Sequence, residues 1–414
     1  MNQQRSQDDG GPRVPCAPLY TFACALSRRF FERRYGLVID NEPMKSLKGP
    51  LLVLSNHESN YDFLIAASAL LPIKLNFMVT TYFFHQRQLK QLLHFMGCIP
   101  KRQFLPDVSS IKSVLRVRAR GGSVAIFPEG QVCYSGETAS IDPGIGKLIK
   151  KLEVTVVTHT VRGNYLTAPK WANGAKYSGR VSSQVRVLLT PEQVRELSVA
   201  EINSRVSQAL SYNEFDWQRT ARVPFSPDRK ADGLETILYR CPSCEHDYSM
   251  NADGGSLLCS NCGYRVSFDK FGFFTSESGT TRFDDIPSWY RWEYDCAEQE
   301  SLADGISLTQ PCTLYKTVEG KHGYIVCGTG TMIADAHGIR YEGDRFGDPF
   351  TLAAHVEHQS NVTHSADVHA IDIEGDDANY SLAPAERRSM AKFIILYQIA
   401  RAQFESHKHS RDNE

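Results

Sequence analysis

The 414 residues are 42% hydrophobic and 22% charged, enough apolar side chain for two or three cores and too much for a disordered chain. The formal net charge of −1 conceals two unlike halves: residues 1–190 hold 25 Lys and Arg against 12 Asp and Glu, and residues 191–414 hold 21 against 35. A basic half of this size attracts phosphates, coenzyme tails or an anionic membrane surface, and the acidic half repels them. Nucleic acid is not expected as a partner, because the chain has no interleaved aromatic RNA-binding motif and no DNA-binding pattern.

The start, MNQQRSQDDGGPRVP, lacks the apolar stretch of a signal peptide, so a cytoplasmic chain with reduced thiols is expected. Residues 17–35 read as an amphipathic helix, with Phe22, Leu26, Phe30 and Phe31 on one side and Arg28, Arg29, Arg33 and Arg34 around the polar part. Such a helix can lie in a membrane interface or pack on its own domain, and its periodicity is the same in both cases. The longest apolar stretch, FLIAASALLPIKLNFMVTTYFF, is broken by Pro72, Lys74 and Asn76, which argues against a membrane span.

From Gly49 onward short apolar strands alternate with helical segments: LLVLSN, IAASALL, NFMVTT, HQRQLKQLLHFM, SSIKSVLRVRARG, SVAIFPEG, PGIGKLIKKL and VTVVTHTV. That alternation predicts an α/β sheet covered by helices. SSQVRVLLTPE adds a late strand, a closing helix follows, and the turn-rich VPFSPDRKADGLE marks a linker.

Strand ends are where α/β folds commonly carry ligand-binding groups, and two of them here carry chemistry. LLVLSN runs directly into His57, with Asp62 five positions on. The turn between them can bring the carboxylate to one ring nitrogen, fixing the tautomer and leaving the other nitrogen free to accept a proton. SVAIFPEGQ stops at a second turn, which puts Glu129 at the same sheet edge, with Gly130 permitting a positive φ or a close backbone approach. Taken singly, each is also what a capping aspartate or an ordinary strand-to-loop turn looks like.

Three blocks in order, NHESNYD, GCIPKR (Gly97 to Arg102) and FPEG, resemble those of the glycerophospholipid acyltransferases typified by 1-acyl-glycerol-3-phosphate acyltransferase. The resemblance covers about residues 37–215. It implies an α/β acyltransferase domain that moves a fatty acyl group from an acyl thioester, acyl-CoA or acyl-carrier protein, to a hydroxyl of a lysophospholipid, foremost 1-acyl-glycerol-3-phosphate. It further implies His57 as base, Asp62 as its orienter, Arg102 with Lys101 on the acceptor phosphate, and Glu129, Gly130 and Ser59 on the substrate side. Peripheral contact with the inner face of a membrane goes with such a lipid acceptor. Two departures bear on the acceptor: Gln131-Val132 stands where the family often has Thr-Arg, and Thr158-His159 stands where a proline would be expected. A second reading keeps the fold but not the activity, as an idle lipid-binding scaffold that recruits a protein partner.

CPSCEHDYSMNADGGSLLCSNC supplies Cys241, Cys244, Cys259 and Cys262. Two C-x-x-C pairs joined by a hairpin-like segment predict a tetrahedral four-sulfur structural Zn2+, a zinc ribbon, in preference to a redox dithiol or an iron–sulfur centre. The remaining seven cysteines are scattered and read mostly as core residues. Residues 271 to about 383 read as short β segments, and PAERRSMAKFIILYQIARAQF as a closing helix with Met390, Phe393, Ile394, Tyr397 and Phe404 at helical spacing. That combination suggests a small barrel or sandwich capped by a helix, of the pleckstrin-homology type. The expected organisation is therefore an arm and helix over 1–36, the acyltransferase domain over 37–218, a linker over 219–238, the zinc ribbon over 239–270, and a β-rich domain ending in a helix over 271–414.

Overall fold

The run Leu51-Leu52-Val53-Leu54-Ser55 is buried on every residue, because it is the middle of a sheet covered on both faces. The computed structural model describes residues 11–172, 177–225, 230–276, 279, 281–318, 323–365 and 370–412. Residues 1–10 of the expected arm and 226–229 of the expected linker lie outside them.

The N-terminal unit runs α1 (Ala17–Tyr35), β1 (Val38–Asp40), β2 (Leu51–Ser55), α2 (Asp62–Ala69), β3 (Leu75–Thr80), α3 (Thr81–His85), α4 (Arg87–Phe95), β4 (Ile99–Lys101), α5 (Val108–Ala119) and β5 (Ser123–Ile126). It continues with α6 (Gly144–Leu152), β6 (Thr155–Arg162), α7 (Asn164–Thr167), β7 (Ser182–Leu189), α8 (Pro191–Glu196), α9 (Val199–Leu210) and α10 (Glu214–Ala221). The sheet order is β1-β7-β6-β2-β5-β3-β4. All neighbours are parallel except β6 and β7. Leu51 and Val53 share a core with Tyr20, Cys24 and Ala66 from α1 and α2, whereas Leu52 and Leu54 share one with Val117, Ile149 and Ile202 from α5, α6 and α9. The period-2 alternation of β2 thus feeds two helical layers at once. Helices α8 and α9 both begin in capping boxes, Thr190 with Gln193 and Ser198 with Glu201, each worth about 1 kcal/mol to its helix.

Helix α1 corrects one detail of the expected pattern. Phe31 is buried with Tyr20, Cys24 and Tyr35, whereas Leu19, Phe22, Leu26 and Phe30 are exposed. One face of the helix packs on the domain while a second apolar stripe, with Phe22 at 66% and Leu26 at 62% exposure, looks outward. No helix among the described residues is long and apolar enough to cross a membrane.

The segment expected as a linker is packed. Phe225, Ala231, Leu234, Ile237 and Leu238 are buried in a core shared by Tyr165, Leu166 and Trp171 of the N-terminal unit and by Leu257, Val266 and Phe268 beyond it. Gly233 makes this possible: its φ is +96°, and a Cβ there would lie 2.0 Å from the carbonyl oxygen of Trp171. The cysteine region follows as a four-stranded antiparallel sheet of β8 (Met250–Asp253), β9 (Ser256–Cys259), β10 (Arg265–Phe268) and β11 (Phe274–Thr275).

A second correction is α11 (Ile286–Asp304), where short β segments were expected. Asp285 caps it by accepting the N–H of Ser288, and Pro287 sits in its first turn. Its buried face is Trp289, Glu293, Ala297 and Ser301. Two of those four are polar, which hides the helical period from an apolar pattern; buried Glu293 is accommodated by accepting the N–H of Arg240 at 2.7 Å. The chain then builds an antiparallel sheet from β12 (Leu308–Thr317), β13 (Tyr324–Asp335), β14 (Gly338–Arg345), β15 (Asp348–His355), β16 (Thr363–His364), β17 (Ile371–Glu374) and β18 (Asn379–Pro384), in the order β15-β14-β13-β12-β18-β17-β16. The closing helix is present as α12 (Met390–Asp412), with Met390, Phe393, Ile394 and Tyr397 buried.

His159, in the middle of β6, is wholly buried between two hydroxyls, Ser55 Oγ at 2.8 Å from Nδ1 and Ser183 Oγ at 2.8 Å from Nε2. It is a core residue. Burial pushes its pKa down to about 4, against a smaller opposing pull from Asp62. In the unfolded chain it protonates near ~6.5. Its contribution to stability is therefore complete above that pH and is lost as the pH falls toward 4, by about 3 kcal/mol. Denaturant unfolding should accordingly show a loss of stability between pH 6.5 and 4 that is shallower in a His159→Gln variant; equal slopes would contradict it.

Candidate active site

Parallel strands β2 and β5 end in step, with Leu54 beside Ile126. Their carboxyl ends therefore release His57 and the Phe127-Pro128-Glu129-Gly130 turn at one sheet edge, as the parallel order requires. His57 follows Asn56, whose side chain copies a strand: Nδ2 donates to the carbonyl of Val161 at 2.8 Å and Oδ1 accepts the N–H of Val161 at 2.8 Å. This ties the end of β2 to β6. The imidazole stacks on Phe127, ring centroids 4.2 Å apart.

Asp62 opens α2 and is fully buried. Its Oδ2 lies 3.0 Å from His57 Nδ1 and accepts the N–H of Ser59 at 2.8 Å, while Oδ1 accepts from Asn164 Nδ2 at 2.5 Å. A carboxylate can only accept, so the ring donates from Nδ1 and keeps a lone pair on Nε2. With the His57 side chain 19% exposed and that of Asp62 at 0%, the pair is open to a ligand on the imidazole side alone. Spacing in the sequence anticipated this contact.

The other anticipated residues divide into those at the turn and those on a neighbouring loop. Glu129 is buried and braces the turn: Oε1 accepts the N–H of His57 at 3.0 Å and Oε2 the N–H of Ala139 at 2.8 Å. Burial pushes its pKa up to about 8, against those two hydrogen bonds. Ser59 is likewise buried, and its hydroxyl accepts from Asn164 Nδ2 at 2.6 Å and from the N–H of Tyr61 at 3.2 Å. It belongs to the support of Asp62 and does not line a substrate surface, because its polar atoms are spent inside the turn. Gly130 has φ +69°, and a Cβ on it would lie 3.0 Å from the Phe104 ring. Its carbonyl accepts from Gln103 Nε2 at 2.7 Å, so the 101–105 loop rests on the glutamate turn. Lys101 turns inward and donates Nζ to the carbonyls of Arg102 and Leu105; burial lowers its pKa. Arg102 remains at the surface, its side chain 42% exposed.

Asn164 was not anticipated. It is buried, and its amide nitrogen serves Asp62 and Ser59 together. The turn carrying it is held by Glu214, which accepts the N–H groups of Gly163 at 2.9 Å and Leu166 at 3.2 Å; burial pushes Glu214 up to about 6. The available signal was positional. β6 is parallel to β2, so a residue just past its end lies at the same edge as His57.

Among known proteins, the family model described as Acyltransferase matches residues 37–162, the stretch that holds all three blocks. The match marks an acyltransferase domain over these residues. The chain is 28% identical over 142 residues, 34% of its length, to the chloroplastic 1-acyl-sn-glycerol-3-phosphate acyltransferase LPAT1 of Arabidopsis thaliana. The match spans 39% of that relative's length. Among solved structures, the 1-acyl-sn-glycerophosphate (LPA) acyltransferase PlsC from Thermotoga maritima aligns with a TM-score of 0.41 and 16% identity, over 46% of this chain and 76% of that one.

Away from the acyltransferase domain, the sulfurs of Cys241, Cys244, Cys259 and Cys262 all lie within 4.8 Å of one another. The pairs Cys241–Cys262 and Cys244–Cys259 are 3.7 and 3.8 Å apart. Four sulfurs around a tetrahedral ion at a metal–sulfur distance of about 2.3 Å stand about 3.8 Å from each other, so the cluster fits a structural metal with no position left for a substrate. Elemental analysis of the purified chain should find about one metal ion per molecule. A Cys244→Ser, Cys259→Ser double variant should lose it and melt at lower temperature; retained metal would place the site elsewhere.

Proposed function

We propose that the chain is a lysophospholipid O-acyltransferase that transfers a fatty acyl group from acyl-CoA or acyl-carrier protein to the free hydroxyl of a 1-acyl-glycerol-3-phosphate-like acceptor. The observation that carries this reading is the 3.0 Å contact between His57 Nδ1 and Asp62 Oδ2. An alcohol with a pKa far above neutrality must lose its proton as it attacks. Nε2 of His57 takes that proton, and the acceptor oxygen forms its bond to the thioester carbonyl carbon. The carbon–sulfur bond breaks as the tetrahedral intermediate collapses, and the proton passes from Nε2 to the departing sulfur. The products are an ester and a free thiol. Asp62 stabilises the imidazolium formed on the way, and Asn164 with Ser59 keeps the carboxylate aimed. Arg102 anchors the acceptor phosphate through its planar fork, holding the hydroxyl for attack.

The lipid reaches this site from a membrane that the protein touches from its inner, cytoplasmic face. In support of this reading, the outward stripe of Leu19, Phe22, Leu26 and Phe30 on α1 is accompanied by exposed Arg28, Arg29, Arg33 and Arg34, a combination suited to an anionic interface. Phe63, 44% exposed, adds an apolar residue directly beside Asp62. The metal of the four-cysteine cluster is zinc, by its ligand set. The β-rich domain closed by α12 is read as pleckstrin-homology-like.

The test is acyl transfer to lysophosphatidate by purified chain carrying His57→Ala. Turnover should fall on the order of 10²- to 10⁴-fold while the variant still folds. Undiminished turnover in the variant would overturn the assignment.

A further inference from the structure

One of the places where the basic and acidic halves of the sequence meet carries a charge pair beside the site. Glu374, at the end of β17, reaches the 101–105 loop. Its Oε1 accepts from Arg102 Nε at 3.0 Å and its Oε2 accepts the backbone N–H of Gln103 at 3.0 Å. The Glu374 side chain is only 12% exposed. Around this contact the two domains are pressed together: the N–H of Ser360 donates to the Phe104 carbonyl at 2.9 Å, and Tyr82 stacks on Tyr324 with ring centroids 5.1 Å apart. A small cleft beside it is lined by Thr80, Tyr82, Gln103, Tyr324, Asp372 and Glu374.

A guanidinium edge and a backbone N–H aimed at the same anion form a donor set that suits phosphate as well as carboxylate. Here a carboxylate from the far end of the chain occupies it. The other cation of the loop offers no substitute, because Lys101 Nζ is committed to two carbonyls. Asp107 adds a further negative charge, accepting the N–H of Arg102 at 3.0 Å. With Glu374 in place, a phosphate at Arg102 would meet a like charge at contact range, and the repulsion would offset most of the guanidinium's attraction. Carboxylate and phosphate therefore exclude each other.

We propose that Glu374 is a competing residue of the acceptor subsite, a carboxylate that the C-terminal domain inserts against Arg102 and Gln103, which a phosphate-bearing acceptor must displace in order to bind. The proposal rests on the reading of Arg102 as the acceptor's anchor. It gives the C-terminal domain a role in setting acceptor affinity, and it explains why an acidic domain is held on a basic one at this loop.

The experiment uses the full chain and its E374Q variant, which keeps shape and removes charge. KM for lysophosphatidate should be about tenfold lower in E374Q, while KM for a monoacylglycerol, which has no phosphate, should be the same in both forms. In parallel, calorimetry with glycerol 3-phosphate should show about tenfold tighter binding to E374Q, and the binding should vanish in an R102A, E374Q double variant. Unchanged or weaker phosphate binding in E374Q, or none by either form, would overturn the proposal. If the wild-type chain acylates no lysolipid, the enzymatic reading fails while the glycerol 3-phosphate measurement still decides on Glu374. If lysolipid is acylated and E374Q moves neither KM nor binding, the proposal falls alone.

Discussion

The site depends on a buried carboxylate that can be satisfied only if the end of β2, the turn into α2 and the end of β6 arrive together. Asp62 takes the imidazole of His57, the N–H of Ser59 and the amide of Asn164. An unpaired carboxylate at zero exposure would cost several kcal/mol, so β2, the turn into α2 and the end of β6 are held in mutual register by the same bonds that aim the histidine. Glu129 extends this from β5 by gripping the backbone of His57 itself. The orientation of His57 and local stability are, in this part of the molecule, one set of hydrogen bonds.

The cysteine region is coupled to this arrangement through packing. Tyr165 and Leu166 follow Asn164 directly and lie in the core that also contains Cys241, Cys259, Phe268 and Trp289. Trp171 donates its indole N–H to the hydroxyl of Tyr165 at 2.9 Å and meets the Phe268 ring edge-on. The four-cysteine unit is thus a wall behind the turn that carries Asn164, and not an appendage on a free tether. The packed segment around Leu234 and Ile237 serves the same wall.

Much of the acyltransferase domain was legible because its signals are local. Apolar runs bounded by polar turns gave the parallel strands, and strand ends pointed to His57 and Glu129, which only the three blocks together singled out from ordinary turns. The spacing put Asp62 within reach of His57, and the resemblance selected that contact over a capping aspartate. Asn164 lay more than a hundred residues away with no motif around it, and only the strand order brings it to the same edge. Helix α11 was hidden by burying Ser301, which donates to the Ala297 carbonyl of its own helix, and Glu293, whose partner Arg240 sequence does not reveal. The pairing of Arg102 with Glu374 spans 272 positions and two domains, and no local pattern could locate it.

The central claim is that Asp62 fixes the tautomer of His57, leaving Nε2 bare to receive a proton. Nitrogen-15 NMR of the labelled imidazole, at a pH where the ring is neutral, tests it most directly. The account predicts that Nδ1 carries the hydrogen and Nε2 shows the shift of an unprotonated ring nitrogen, with the preference lost in Asp62→Ala. A hydrogen on Nε2 while Asp62 is intact would contradict it.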